Sequence, residues 1–296
     1  MKKEDYSIFE YRLKKEILFA DIVYHERVYG NFEKISIKTE NEGYIDMSIY
    51  RPHDRKDDLL KVVFNFHGGG NVLAFYEQDG KYCQRLADLA NCAIINVDYV
   101  VAPEFKFPRP IYSSYEAITN VLEKSKELHL DRSHVMVMGH SAGGNISASL
   151  LLLDKQKHNI NFKGAILDYP PLRQSIQLGD RQVLDPQKAI SRDRMMQYIE
   201  WYYNDLTELD DPLASPLLGD LIALPPLLII TAEYDSLKQE AYEFSCKAKA
   251  SGVKVNYKEF LNCQHGFTHD CFKEYRDEES QQAWQLMAEF IKSIMG

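Results

Sequence analysis

Little in this sequence points toward a charged polymer, a membrane or an oxidising compartment. The 296 residues hold only five cysteines (Cys83, Cys92, Cys246, Cys263 and Cys271), odd in number and without CxxC spacing. Neither a disulfide framework nor a zinc site is expected from them; reduced thiols in a cytoplasmic protein are. Lysines and arginines form no cluster and the formal net charge is −9, which argues against a nucleic-acid partner. No apolar run approaches the roughly 18 residues that a membrane span requires. The longest, 224–232, contains Pro225 and Pro226 and suits a buried strand. The start, Met1-Lys2-Lys3-Glu4-Asp5, turns acidic at once and lacks the apolar core of a secretory leader. No spacing of histidines, cysteines and acids reads as a ligand set, so neither metal nor cofactor is expected.

What is present is ordinary for a globular chain: 45% hydrophobic and 27% charged residues, enough for a sizeable core. Without repeats or low-complexity stretches, residues 1–296 are expected to form one domain. Short β-branched runs near 34–40, 44–51, 61–67, 93–98, 134–138, 163–168, 226–232 and 255–260 alternate with helical patterns. The helices fall near 80–91, 110–128, 143–156, 237–251 and 280–294, and such crossovers predict a mostly parallel sheet covered on both faces. The first two strands, joined by Asn41-Glu42-Gly43, predict an antiparallel hairpin at one edge. Two segments break the alternation. Residues 1–30 are amphipathic and aromatic (Tyr6, Phe9, Tyr11, Phe19, Tyr24, Tyr29), and 174–212 form an insertion carrying Met195, Met196, Tyr198, Ile199, Trp201, Tyr202 and Tyr203. Over the carboxyl ends of the strands both would make a small helical cap; as an alternative of equal weight, 1–30 simply covers core.

The buried strand His134–Met138 runs into Gly139-His140-Ser141-Ala142-Gly143-Gly144 and then a helix. Strand, tight turn and helix are the setting in which a Gly-x-Ser-x-Gly serine becomes a nucleophile, at a helix N-terminus whose dipole favours developing negative charge. A second strand, Lys61–Phe66, ends in His67-Gly68-Gly69-Gly70. There the N–H groups of Gly69 and Gly70, with that of Ala142, could meet the oxyanion of a tetrahedral intermediate. Serine needs a base and an orienting acid, which in such chains follow in the order Ser, Asp or Glu, His. Asp235, past the strand ending near 232, and His265, in the loop after 255–260, satisfy that order and share the strand-end side with Ser141. Asp168, at the end of 163–168, competes as the acid; Glu233 is a weaker candidate. A histidine base predicts kcat/KM rising with pH across a limb near 6–7.

With these motifs in place, the sequence resembles the hormone-sensitive-lipase-like family of bacterial esterases from about residue 60 to the end. The resemblance is carried by His67–Gly70 with Asn71-Val-Leu-Ala, Asp98-Tyr-Val-Val-Ala-Pro-Glu104, Phe107-Pro108 and Gly139–Gly144. Asp211-Pro-Leu-Ala-Ser-Pro216, Leu224-Pro-Pro226, Thr231–Leu237 and His265-Gly-Phe267 follow in order. It implies the α/β-hydrolase fold, an α/β class with a mostly parallel eight-stranded sheet, and the triad Ser141, Asp235 and His265. It also implies hydrolysis of small esters with short acyl chains. His140 stands where the family commonly has Asp, Asn71 replaces an aromatic residue, Val100 an Arg and Ser113 an Asp. GHSAGG also occurs in acetylxylan-esterase-like and formamidase-like hydrolases, so a deacetylase of acetylated sugars or an aryl formamidase is the alternative reading. A non-catalytic binding protein on this fold would be expected to have lost a triad member, and every candidate is present. The sequence is compatible with a homodimer.

Overall fold

Alternate residues of each central strand bury into opposite layers, and this two-residue period organises the protein. The computed structural model describes residues 7–29, 32–55, 58–74, 78–174, 181 and 183–296, with the main chain alone for 21–29. In chain order the elements are α1 (Ile8–Tyr29), β1 (Phe32–Thr39), β2 (Gly43–Tyr50), β3 (Leu60–Phe66), α2 (Gly80–Ala90), β4 (Ala93–Asp98), α3 (Arg109–Glu123) and β5 (Leu130–His140). There follow α4 (Ala142–Lys157), β6 (Gly164–Asp168), α5 (Arg192–Tyr202), β7 (Leu227–Ala232), α6 (Lys238–Ala250), β8 (Val255–Phe260) and α7 (Asp277–Met295).

The strands form one sheet in the order β1-β2-β4-β3-β5-β6-β7-β8. β1 pairs antiparallel with β2, and β2 with β4; every other pairing is parallel. Val62, Phe64 and Phe66 of β3, with Val135 and Val137 of β5, pack into the layer that holds α3, α4 and α6. Val63, Met136 and Met138 point the other way, beneath α2 and α7. Burial on both faces explains why these strands read as unbroken apolar runs.

All eight expected strands and five expected helices form. β5, however, starts at Leu130 rather than near 134, because residues 132–134 loop out between the Lys61↔Asp131 and Val62↔Val135 pairs. Asp131 steadies that bulge by accepting from the Ser133 N–H at 2.9 Å. The third helix stops at Glu123 rather than 128 and continues as turns. Of the two segments outside the alternation, 8–29 is one helix and 192–202 another; residues 1–6 (with Tyr6), 30, 175–180 and 182, and the side chains of Tyr24 and Tyr29, lie outside the described residues. α1 and α5 meet: Tyr11 Oη lies 2.6 Å from Tyr198 Oη, and the Tyr11 and Trp201 rings are 5.5 Å apart. Among the described residues no helix is long and apolar enough to cross a membrane, and no disulfide joins the cysteines.

Candidate active site

The turn between β5 and α4 is held by contacts that only glycine permits. Ser141 sits at φ 52° and ψ −119°, a left-handed backbone that side chains rarely adopt. A Cβ on Gly139 would lie 2.2 Å from the Gly143 carbonyl oxygen, and one on Gly143 would lie 2.0 Å from that of Phe66. Both clashes are with backbone, so β3, β5 and α4 approach this closely only with glycines there. The Ser141 N–H donates to the Asp168 carbonyl at 2.9 Å, tying the turn to the end of β6.

The turn delivers the Ser141 hydroxyl to His265. Nε2 of His265 is 2.8 Å from Ser141 Oγ, and its Nδ1 is 2.7 Å from Asp235 Oδ2. Asp235 follows β7 and is buried; its other oxygen accepts from the Leu237 N–H at 3.0 Å. His265 lies in the loop after β8, with the Tyr169 ring 4.7 Å from its own. Burial pulls the imidazole's pKa down, but the Asp235 carboxylate, by charge and by hydrogen bond, outweighs it and holds the pKa above its ordinary value. Asp168, the competing acid, is engaged elsewhere: its Oδ2 lies 2.7 Å from His140 Nδ1 and accepts from Thr268 Oγ1 at 3.0 Å. Glu233 accepts from the Asn262 N–H at 2.7 Å, away from the histidine.

The loop after β3 passes beside the serine. A Cβ on Gly68 would be 3.4 Å from Ser141 Cβ, while Gly69 (φ 132°) and Gly70 (φ 65°) take positive-φ conformations. Among the described residues nothing accepts from the N–H groups of Gly69, Gly70 or Ala142. Ala142 is the first residue of α4, where no intrahelical acceptor exists. The Tyr198 ring of α5 lies where a Gly70 side chain would be, 2.5 Å from a Cβ built there. A cavity of about 440 Å³ opens over Ser141, bordered by Tyr11 and Phe19 of α1, Tyr198 of α5, and Gly68–Gly70. A second, of about 60 Å³, lies beyond Ala142 among Met195, Ile199, Tyr202, Tyr203 and Leu237.

Two buried groupings escaped the sequence reading. Arg181 and Glu240 pair at 2.8 Å, and Glu240 also accepts from the Leu172 N–H at 2.8 Å. The second unites Asp79, His140 and His269 below the serine, where each lines the floor of the larger cavity. Cys263, two residues from His265, is buried, and burial pushes its thiol up to about 12, which suits a packing role.

Known proteins resemble this chain in sequence and in fold. The sequence profile described as alpha/beta hydrolase fold matches residues 63–269. An arylesterase of Saccharolobus solfataricus is 30% identical over 253 residues, covering 84% of this chain and 80% of its own. The carboxylesterase NlhH of Mycobacterium tuberculosis is 30% identical over 246 residues, 80% of this chain and 76% of its own. The solved structure of an esterase from Pyrobaculum calidifontis superposes with a TM-score of 0.87 at 30% identity, covering 98% of this chain and 94% of that one. The chain belongs to the hormone-sensitive-lipase-like family of α/β hydrolases and is a carboxylic ester hydrolase.

Proposed function

We propose that the protein hydrolyses short-acyl-chain esters through an acyl-enzyme on Ser141, with His265 as base and Asp235 as its orienting acid. The unbroken line of contacts from Asp235 Oδ2 through His265 to Ser141 Oγ, 2.7 and 2.8 Å, carries this reading. His265 Nε2 takes the Ser141 proton as Oγ attacks the ester carbonyl, then returns it to the departing alkoxide. Water repeats the sequence on the acyl-enzyme. Asp235 keeps the ring's other proton on Nδ1 and stabilises the imidazolium. The N–H groups of Gly69, Gly70 and Ala142 serve as oxyanion donors, each worth about 3–4 kcal/mol in the transition state.

The unequal cavities support the chain-length preference. The acyl group enters the 60 Å³ pocket beyond Ala142, lined by Met195, Ile199, Tyr202 and Leu237, while the alcohol occupies the 440 Å³ cavity. A space of that size suits an acetyl to butyryl group. In this reading the whole chain is one domain, with cap elements in 1–30 and 174–212. Profiling p-nitrophenyl esters from acetate to laurate tests it: kcat/KM should peak at acetate to butyrate and fall beyond. A peak at octanoate or longer refutes the pocket assignment. Ser141→Ala should abolish turnover with the fold intact; undiminished turnover refutes the nucleophile.

A further inference from the structure

Beside Ser141, at the lining of the cavity, the protein buries two carboxylates next to two histidines. Asp79 and Asp168 are 1% and 0% exposed. Among the described residues no lysine or arginine pairs with either: Asp79 Oδ2 accepts from Asn65 Nδ2 at 2.8 Å and its Oδ1 lies 3.0 Å from His269 Nε2, and Asp168 is met by His140 and Thr268. Two buried carboxylates require about two positive charges nearby. A single divalent cation supplies both charges at one point.

The polar atoms that these residues turn toward one another mark where that cation would sit. His140 Nε2 is buried and makes no hydrogen bond, Asp79 Oδ1 and His269 Nε2 have only each other at 3.0 Å, and one ligand atom from each of the three residues lies within 4.8 Å of the others. Ligand atoms of a tetrahedral zinc, with bonds near 2.0–2.1 Å, stand about 3.3 Å apart and aim at the metal instead of at each other. The outer nitrogens are also held as ligating imidazoles require. His140 Nδ1 lies 2.7 Å from the Asp168 carboxylate, and His269 Nδ1 lies 3.1 Å from Tyr169 Oη and 2.9 Å from Thr268 Oγ1. A carboxylate behind a histidine fixes its tautomer and raises its basicity toward a metal.

We propose that Asp79, His140 and His269 form a binding site for one divalent transition-metal ion, Zn²⁺ being the best match to two imidazoles and a carboxylate. The site opens on the catalytic cavity, which these three residues line together with Ser141. It departs from the metal-free chain expected from sequence spacing, because the ligands are dispersed over 190 positions. Bound there, the metal would tie the start of α2, the Ser141 turn and the loop carrying His265 into one rigid floor.

The test is metal binding, read independently of catalysis. Untagged protein, stripped with a strong chelator and equilibrated with Zn²⁺ against a chromophoric competitor, should hold one ion per chain. His269→Gln and His140→Asn should lose that ion, their affinity falling about 100-fold or more, and Asp168→Asn should weaken it about 10–100-fold. Should these variants fail to fold, the wild-type protein loaded with Co²⁺ decides alone. Intense visible d–d absorption, with two paramagnetically shifted imidazole N–H resonances that Zn²⁺ abolishes, supports the site. Less than one ion per chain with no such absorption overturns it, as does Zn²⁺ affinity unchanged in all three variants.

Discussion

Replacing Asp235 by Asn separates an orienting acid from a merely neighbouring one. In the wild-type protein Asp235 Oδ1 accepts from the Leu237 N–H at 3.0 Å, and Oδ2 faces His265 Nδ1 at 2.7 Å. In Asp235→Asn the amide oxygen keeps the Leu237 position, since only an acceptor suits that N–H. The NH₂ group must then face His265. Two donors cannot share that contact, so the imidazole moves its proton from Nδ1 to Nε2 and presents a donor to Ser141 Oγ. The base is lost while the shape is kept. An amide in the orienting position lowers kcat about 10⁴-fold, or about 5.4 kcal/mol at 1.36 kcal/mol per tenfold.

Asp168→Asn is the matched comparison. It disturbs the His140 contact and the fold beneath the serine, but it leaves the Asp235–His265 pair untouched. Its kcat should fall about tenfold or less, with a stability loss of about 1.5–3 kcal/mol for the charge-assisted hydrogen bond. Steady-state turnover of p-nitrophenyl butyrate, the rate of fluorophosphonate labelling and the melting temperature together resolve the cases. Labelling reports activation of the serine itself and should fall with kcat in Asp235→Asn. A collapse in Asp168→Asn alongside near-normal turnover in Asp235→Asn would refute the assignment.

Three further outcomes follow from the same contacts. Because Asp235 holds the His265 pKa above its ordinary value, the imidazole stays protonated, and useless as a base, to higher pH. The rising limb of kcat/KM should therefore lie above about 6.5 and move down in Asp235→Asn; a flat profile from pH 5 to 8 contradicts a histidine base. Gly143→Ala would set a Cβ 2.0 Å from the Phe66 carbonyl oxygen, so denaturant unfolding should show a loss of about 3 kcal/mol or more; a smaller loss would mean that β3 and α4 can separate cheaply. Glu240→Ala strands the buried Arg181 guanidinium and the Leu172 N–H, at a cost of about 3–5 kcal/mol by the same measurement.

The sequence disclosed the sheet where local pattern and global packing agree. Strands buried on both faces show as apolar runs whatever surrounds them, so β3 to β7 could be placed within a few residues. The start of β5 was hidden because Arg132, Ser133 and His134 form a polar bulge. No hydrophobic period marks the pairing of Leu130 with Leu60 that precedes it. Ser141, Asp235 and His265 could be chosen because each follows a strand and chain order ranks them; their hydrogen bonds then required only that parallel strands end on one side.

The cluster of Asp79, His140 and His269 had no such signature, since the start of α2, the end of β5 and the loop after β8 supply it and no spacing rule links them. His140 was visible only as a departure from the usual Asp beside the serine. What gives that departure meaning is lateral: β5 and β6 pair in register at His140 and Asp168, which sets a buried imidazole beside a buried carboxylate. Had the pairing register been derived first, from the end of each apolar run, His140 and Asp168 would have been seen as one unit. A histidine whose Nδ1 is already committed to a carboxylate has only Nε2 left to use. The physical question then becomes what lies at Nε2, and the residues there, Asp79 and His269, are the ones that turn a substitution in the elbow motif into a candidate metal ligand.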